Sequence, residues 1–154
     1  MKLVAARDVT AKPGILSEQL VTFSVDGQNF GISALKVRDV LRRQPVTRVP
    51  LARAEIAGAI NLRGHIVSAI DLRARLGMAA RTAGCPAMCV VVEHGAESVC
   101  LVVDSVGDVL SVDASDVEPN PASLPSTWAQ AARGVYRARD HLLLLLDVDQ
   151  LLTF

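Results

Sequence analysis

The sequence predicts a mainly β protein: two similar lobes of about five strands each around a shared aliphatic core, with a few short helices. Three observations predict it. Hydrophobic residues make up 51% of the 154 positions but aromatic residues only 3%, so the core is built from Val, Leu, Ile and Ala. Val-rich runs punctuated by Gly favour sheet. A weak internal repeat places Val37, Asp39, Val40, Leu41 and Pro50 on Val106, Asp108, Val109, Leu110 and Pro119, and Phe30 and Ile32 on Val99 and Leu101, at an offset of 69. Near an offset of 70, Arg63-Gly64 falls on Arg133-Gly134, and later Ile70-Asp71-Leu72 matches Leu146-Asp147-Val148. Units this small bury little alone and are expected to share one core.

Taken in order, residues 1–18 show no period and contain Pro13-Gly14, which reads as a flexible arm before a domain spanning 19–154. Leu20 to Val25 alternates as a strand with one buried face, Asp26-Gly27 signals a hairpin, and Phe30 and Ile32 continue on the return strand. The spacing of Leu35 to Leu41 fits helix or strand; its repeat partner, Val106 to Val112, is β-branched and contains Gly, so both read as strand. Pro45 to Pro50 is an extended connector. Ala52 to Ala57 reads as a short helix ending at Gly58. Residues 56–77 then read as strand, turn, strand and short helix: Asp71 can accept from the first unpaired helix N–H groups, and Gly77 can close the helix left-handed. Small and polar residues 79–86 form the expected seam between lobes. Met88 to Val92 and Val99 to Val103 are strands around His94-Gly95-Ala96. Asp113 has N-cap spacing for a short helix, residues 118–127 form a proline-rich loop, and a final hairpin turns at Asp140-His141. Asp147 caps a terminal helix carrying Val148, Leu151 and Leu152.

Net charge is zero but unevenly spread. Residues 1–81 hold 13 Lys/Arg against 6 Asp/Glu, and residues 82–154 hold 3 against 10. Such a chain suits head-to-tail contacts, whereas a nucleic-acid binder would interleave basic residues with stacking aromatics. Cys85, Cys89 and Cys100 lack metal-ligand spacing and read as free thiols of a reducing cytoplasm, with no metal and no cofactor expected. The N-terminus has no apolar core of signal-peptide length, and Leu142 to Leu146 falls far short of the ~20 apolar residues of a membrane span. No phosphate-binding glycine loop is present, and His65, His94 and His141 have no Cys, Ser or carboxylate at motif spacing. A binding or assembly module is favoured over an enzyme. Arg63-Gly64 stands out between two apolar runs. It reads either as a turn that happens to carry Arg or as a cation presented from a tight turn.

Phe30-Gly31-Ile32, Val37-Arg38-Asp39-Val40-Leu41, Val46-Thr47-Arg48-Val49-Pro50, Gly58-Ala59-Ile60-Asn61-Leu62-Arg63-Gly64, Ile70-Asp71-Leu72-Arg73, Val103 to Leu110 and Leu145 to Val148 occur in the order of a known family. From about Leu20 to Leu152 the chain resembles the CheW-type chemotaxis coupling proteins. The resemblance implies two SH3-like β-barrels around a shared core, and a non-enzymatic adaptor joining chemoreceptor tips to the histidine kinase CheA in signalling arrays. It implies a receptor-binding groove at Val37, Asp39, Asn61, Arg63 and Gly64. It implies kinase contacts at Val46 and Thr47, and a second kinase contact, building rings, at Asp116, Val117, Ala122 and Leu124, where other copies of the fold could also dock. No nucleic acid and no inserted membrane segment are implied, and the site of action is the cytoplasmic side of receptor arrays. Ser68 departs from the Pro common in the family, and no receiver domain is expected to follow Phe154. Two alternatives keep the fold: an array-capping competitor, and a coupler in a non-motility chemosensory pathway. A third is a small ligand-binding or enzymatic double barrel, which a polar pocket at His65 would favour.

Overall fold

The first residues to enter the sheet alternate strictly. In β1 (Ser17–Val25), Leu20 faces one cluster while Val21, Phe23 and Val25 face another, and all four are buried. The computed structural model describes residues 17–82 and 84–154. The expected arm at 1–16 lies outside them, whereas Ser17 and Glu18 already belong to β1. Asp26 and Gly27 both take positive φ, 50° and 79°, and turn the chain tightly into β2 (Gln28–Ser33). A single 3₁₀ turn over Ala34–Lys36 then leads into β3 (Val37–Arg42), so the strand reading of this ambiguous segment holds from Val37 onward.

β4 (Ile56–Leu62) and β5 (His65–Asp71) form the expected hairpin, and the Asp71 carboxylate accepts from the Arg73 N–H to start α1 (Leu72–Arg75). Gly77 follows at φ 70°. The helix expected at Ala52–Ala57 is absent. Turns occupy this stretch, and the Asp71 N–H donates to Glu55 O at 2.9 Å, drawing the backbone into the sheet. A six-residue helix with no tertiary docking of its own cannot offset its nucleation cost against such pairing. Gly58 ends no helix; it sits in a bulge of β4.

β6 (Met88–His94), β7 (Glu97–Val103), β8 (Ser105–Asp113), the two-residue β9 (Val117–Glu118), β10 (Ala132–Arg137) and β11 (Leu142–Leu146) complete the strands. Asp113 precedes only a 3₁₀ turn and its side chain makes no capping bond. Asp147 does cap α3 (Val148–Leu151), accepting from the N–H groups of Asp149 and Gln150. A helix missed by sequence periodicity, α2 (Ser126–Ala131), follows Pro125. It lays Trp128 against Phe30, with ring centroids 5.7 Å apart, and the indole N–H donates to Leu76 O at 2.7 Å.

The strands form two sheets, ordered β8-β1-β2-β11-β10-β9 and β3-β6-β7-β5-β4. The lobes are therefore not the two halves of the chain. β1 and β2 join the C-terminal strands, while β6 and β7 join β3, β4 and β5. Residues 79–86, the expected seam, only link α1 to β6; the chain crosses between sheets at Ala34–Lys36 and at Asp104. Two parallel pairings make the exchange: β2 with β11 and β7 with β5. Each sheet turns one face to a common core containing Phe23, Phe30, Val90, Leu101, Leu144 and Leu151. On its other face each sheet has its own cluster, Leu20, Val112, Leu143 and Leu145 in the first, Ile60, Val67, Ala69, Cys89 and Cys100 in the second. Four of the five leucines of β11 thus divide by alternation, Leu143 and Leu145 to one side, Leu144 and Leu146 to the other, while Leu142 is exposed.

Asp104 pins the second crossing. Its carboxylate accepts from Arg73 at 2.7 Å, from Arg81 at 2.5 Å and from the Asp26 N–H at 2.7 Å, tying α1, the β1–β2 turn and the β7–β8 junction together. Burial opposes ionisation of Asp104, but the Arg73 guanidinium, the Asp26 N–H and Arg81 outweigh it and hold the carboxyl below its ordinary value. The resulting stability is present at neutral pH and is lost as pH falls below about 4, through the depressed folded-state value. Asp104→Asn is expected to cost about 3 kcal/mol at pH 7, because two guanidinium groups lose their nearest charge partner and keep only Asp26 and Asp71 at 3.8 Å. In urea unfolding followed from pH 7 to pH 3, the gap between variant and parent should narrow at the acid end; a gap independent of pH would refute the ionic account.

Candidate partner-binding surfaces

The β4–β5 turn is the most constrained exposed feature. Arg63 and Gly64 both take positive φ, 52° and 85°, the backbone pattern of a tight two-residue hairpin turn. Gly accepts this conformation freely, but Arg does not. The turn is held by Asn61, whose Oδ1 accepts the Gly64 N–H at 2.9 Å. The Arg63 side chain, 74% exposed, donates to the Asp39 carboxylate at 2.8 Å. The other Asp39 oxygen accepts the Val40 N–H at 2.9 Å, which fixes the carboxylate on β3. Asp39, Asn61, Arg63 and Gly64, more than twenty positions apart at the extremes, therefore form one cluster with a cation at its outer end.

Val37 lies elsewhere. A bulge in β3 puts Val37 opposite Val92, on the common-core face, and Asp39 opposite Val91, on the reverse face. Val37 is half-buried against the common core together with Met88, Val106 and Val109. β3 and β8 are the outer strands of their respective sheets, so both carry half-buried valines along an unpaired edge. Met88, Val106 and Val109 were not singled out from sequence. The repeat itself was the available signal, since it superposes Val37 on Val106 and Val40 on Val109.

Val46 and Thr47 edge the second sheet. Thr47 forms an isolated bridge with Ala59, with 2.8 Å hydrogen bonds in both directions, and Val46 is exposed. This close approach requires Gly58, at φ 152°: a Cβ there would stand 2.2 Å from Thr47 O and 2.7 Å from Val46 Cγ1. The first sheet repeats the device. Glu118 pairs with Val135 and Val117 with Tyr136, and a Cβ on Gly134 would stand 2.7 Å from Glu118 O and 2.6 Å from Val117 Cγ1. Gly134 is thus the counterpart of Gly58, not of Gly64, and the repeat widens to an offset of 76 in its later half, where Asp71 matches Asp147. Asp116 and Ala122 are exposed, whereas Leu124 packs against the common core and anchors its loop.

The equivalent edges differ in charge. Residues 42–53 carry Arg42, Arg43, Arg48 and Arg53, all exposed, and no acid. Residues 113–118 carry Asp113, Asp116 and Glu118 and no base; Glu118 pairs with Arg137 at 3.0 Å. The charge asymmetry of the sequence survives the exchange of strands. Residues 34–103 hold ten Lys/Arg against five Asp/Glu, and residues 17–33 with 104–154 hold three against ten.

The family model for the CheW-like domain matches residues 19–154. The chain belongs to the CheW family. It is 33% identical over 131 residues to the chemotaxis protein CheW of Rhizobium meliloti, covering 85% of this chain and 84% of that protein. It is 30% identical over 138 residues to the chemotaxis protein CheW of Klebsiella aerogenes, covering 90% and 83%. The crystal structure of the scaffolding protein TtCheW from Thermoanaerobacter tengcongensis superposes with a TM-score of 0.81 at 26% identity, covering 90% of this chain and 94% of that one. The two-sheet β architecture with few short helices is therefore that of CheW proteins.

Within this CheW fold, a cleft of about 480 Å³ lies between β5 and the start of β7, lined by His65, Ile66, Val67, Ser68, Glu97 and Ser98. It is the polar pocket that a ligand-binding reading asks for, with the exposed His65 in its lining; no hydrogen bond to the His65 ring is present among the described residues. Among the described residues no three His, Cys, Asp or Glu side chains are grouped to hold a metal ion, and no helix is long and apolar enough to cross a membrane. Gly58→Ala is expected to cost about 3 kcal/mol or more in chemical denaturation, through strain at positive φ together with collision with Thr47 O. Gly27→Ala, with open space around its Cβ, should lose only about 1 kcal/mol. Equal losses would show that backbone conformation alone, not the close approach of the 46–47 edge, demands glycine at 58.

Proposed function

We propose that this CheW-family chain is a non-enzymatic adaptor that couples chemoreceptor tips to the histidine kinase CheA, and acts on the cytoplasmic side of membrane-associated receptor arrays. The observation that carries the reading is the Asp39–Arg63 cluster: an exposed guanidinium, set on a strained turn and anchored by a carboxylate from another strand. A turn with no contact to make gains nothing from arginine at positive φ. The printed names of the relatives, chemotaxis and scaffolding proteins, support the same role.

In this reading the receptor's helical tip lies against the half-buried valines Val37 and Val106 at the two sheet edges. Helix-in-groove burial supplies the affinity. Asn61, Arg63 and Gly64 read carbonyls or carboxylates at the rim, where Arg63 can offer a second set of donors beyond Asp39. The kinase's regulatory domain docks on the 46–47 edge. The 116–124 segment makes the second contact, with the kinase or with another copy of the fold, which closes rings. The basic and acidic edges steer these unlike encounters.

A reconstituted kinase assay with receptor fragment and CheA tests the proposal. Arg63→Ala is expected to weaken receptor-dependent activation about tenfold or more, as for an arginine that anchors the contact, while kinase binding stays unchanged. Activation by the parent chain that survives Arg63→Glu would remove the hairpin from the receptor site. Kinase binding without any receptor coupling by the parent would make the chain an array-capping competitor. Charge reversal at Arg42 and Arg43 should slow kinase association and flatten its dependence on ionic strength. An unaltered salt dependence would rule out electrostatic docking at this edge.

A further inference from the structure

Among the described residues, three other than glycine take positive φ: Asp26 at 50°, Arg63 at 52° and Leu51 at 63°. Aspartate tolerates the left-handed region, and Arg63 turns a hairpin and holds Asp39. Neither explanation covers Leu51. It lies in the turn Val49-Pro50-Leu51-Ala52, closed by the Ala52 N–H donating to Val49 O at 3.3 Å. Proline before a residue of positive φ is the pattern of a type II turn, whose third position belongs to Gly or Asn. Leucine there is strained, and its side chain recovers nothing from the fold: Leu51 is 105% exposed. Exposure alone needs no explanation, but strain at an exposed apolar residue does. Leu35 and Ile66 are also exposed, at ordinary backbone angles; among the described residues Leu51 alone combines the two.

The surroundings of Leu51 have the composition of an interface. Of the seven large hydrophobic side chains exposed among the described residues, Val46, Val49 and Leu51 fall within six positions of one connector. Arg42, Arg43, Arg48 and Arg53 lie around them in the same stretch, all exposed and with no acid between. Only Arg53 has a carboxylate nearby, that of Glu55 at 3.4 Å. An apolar centre with a charged rim is what protein partners bury. The bridge of Thr47 to Ala59 ties the start of this stretch to β4, and Pro50 fixes the backbone just before Leu51.

We propose that Leu51 is an apolar anchor for the kinase, held out by its strained turn to enter an apolar socket rimmed by carboxylates on the CheA regulatory domain. The inference rests on the reading of the 46–47 edge as the kinase surface, and it names the side chain that supplies the affinity there. Full burial of one leucine is worth roughly tenfold to a hundredfold in affinity. The fixed turn holds the backbone in place before contact, so less freedom is lost on binding. The arginines select the rim: carboxylates around the socket attract them, and a basic rim would repel them. The strain is then a cost to the free protein that the complex offsets.

The test compares the parent with Leu51→Asn, Leu51→Met and Val46→Asp, in urea unfolding and in calorimetric titration with CheA. Leu51→Asn is expected to raise the urea midpoint, because asparagine accepts the left-handed region, and to weaken CheA binding roughly tenfold or more. Leu51→Met, which keeps the apolar volume, should bind within about threefold of the parent. A lowered midpoint in Leu51→Asn would show that the side chain serves the fold and would overturn the inference. CheA affinity unchanged in Leu51→Asn but lost in Val46→Asp would overturn the anchor alone and leave the edge to the kinase. Affinity unchanged in both would remove the kinase from this edge, and the anchor with it. Self-association lost in Leu51→Asn, with CheA affinity intact, would give the residue to a second copy and overturn the kinase as its partner.

Discussion

Two short parallel pairings hold the molecule to a single fold: β2 beside β11 and β7 beside β5. Antiparallel hairpins are local, but each of these pairings joins strands from opposite halves of the chain. They insert the hairpin β1–β2 into the C-terminal sheet and the hairpin β6–β7 into the sheet begun by β3, β4 and β5. Neither half therefore owns a complete sheet, and the common core receives residues from both. Folding must wait for contacts of long sequence separation, which places the chain among the slower β topologies. Asp104 and its guanidinium partners stand at one of the two crossings that make the exchange possible.

Much of this was legible because local chemistry and global fold agree. Asp71 and Asp147 cap helices where an acid precedes an apolar run, and Asp26-Gly27 and Arg63-Gly64 turn hairpins where strands of alternating pattern meet. The repeat was visible because equivalent edge strands keep the pattern Val-x-Asp-Val-Leu. Strand exchange was not legible, since swapping partners between two alike units leaves every strand's own alternation unchanged. α2 escaped because six residues after a proline show no helical period, and its stability comes from Trp128 docking on Phe30 and Leu76. The false helix at Ala52–Ala57 came from the same weakness: alanine propensity is a smaller term than a strand pairing nearby.

At the site, sequence resemblance placed Asp39 and Arg63 on one surface but could not say that they touch. The contact exists because the β3 bulge rotates Asp39 away from the face of Val37. One residue of bulge thus divides a strand between two tasks. Val37 packs toward the common core and Asp39 reaches out to hold a cation. Resemblance also grouped Leu124 with exposed positions, whereas its side chain fastens the loop to the core and leaves Asp116 and Ala122 to face outward.

The duplication poses a problem of recognition that charge resolves. Gly58 beside Thr47 and Gly134 beside Glu118 give the two sheets nearly the same edge, each with a short extra rung held close by a glycine. Shape alone would let either edge accept the partner of the other. Four arginines and no acid flank one rung, while three acids and no base lead into the other. Juxtaposing like edges then costs repulsion, and juxtaposing unlike edges gains attraction, so specificity arises as much from the disfavoured pairing as from the favoured one. A fold made of two copies of one unit can in this way offer two distinct faces without changing its backbone.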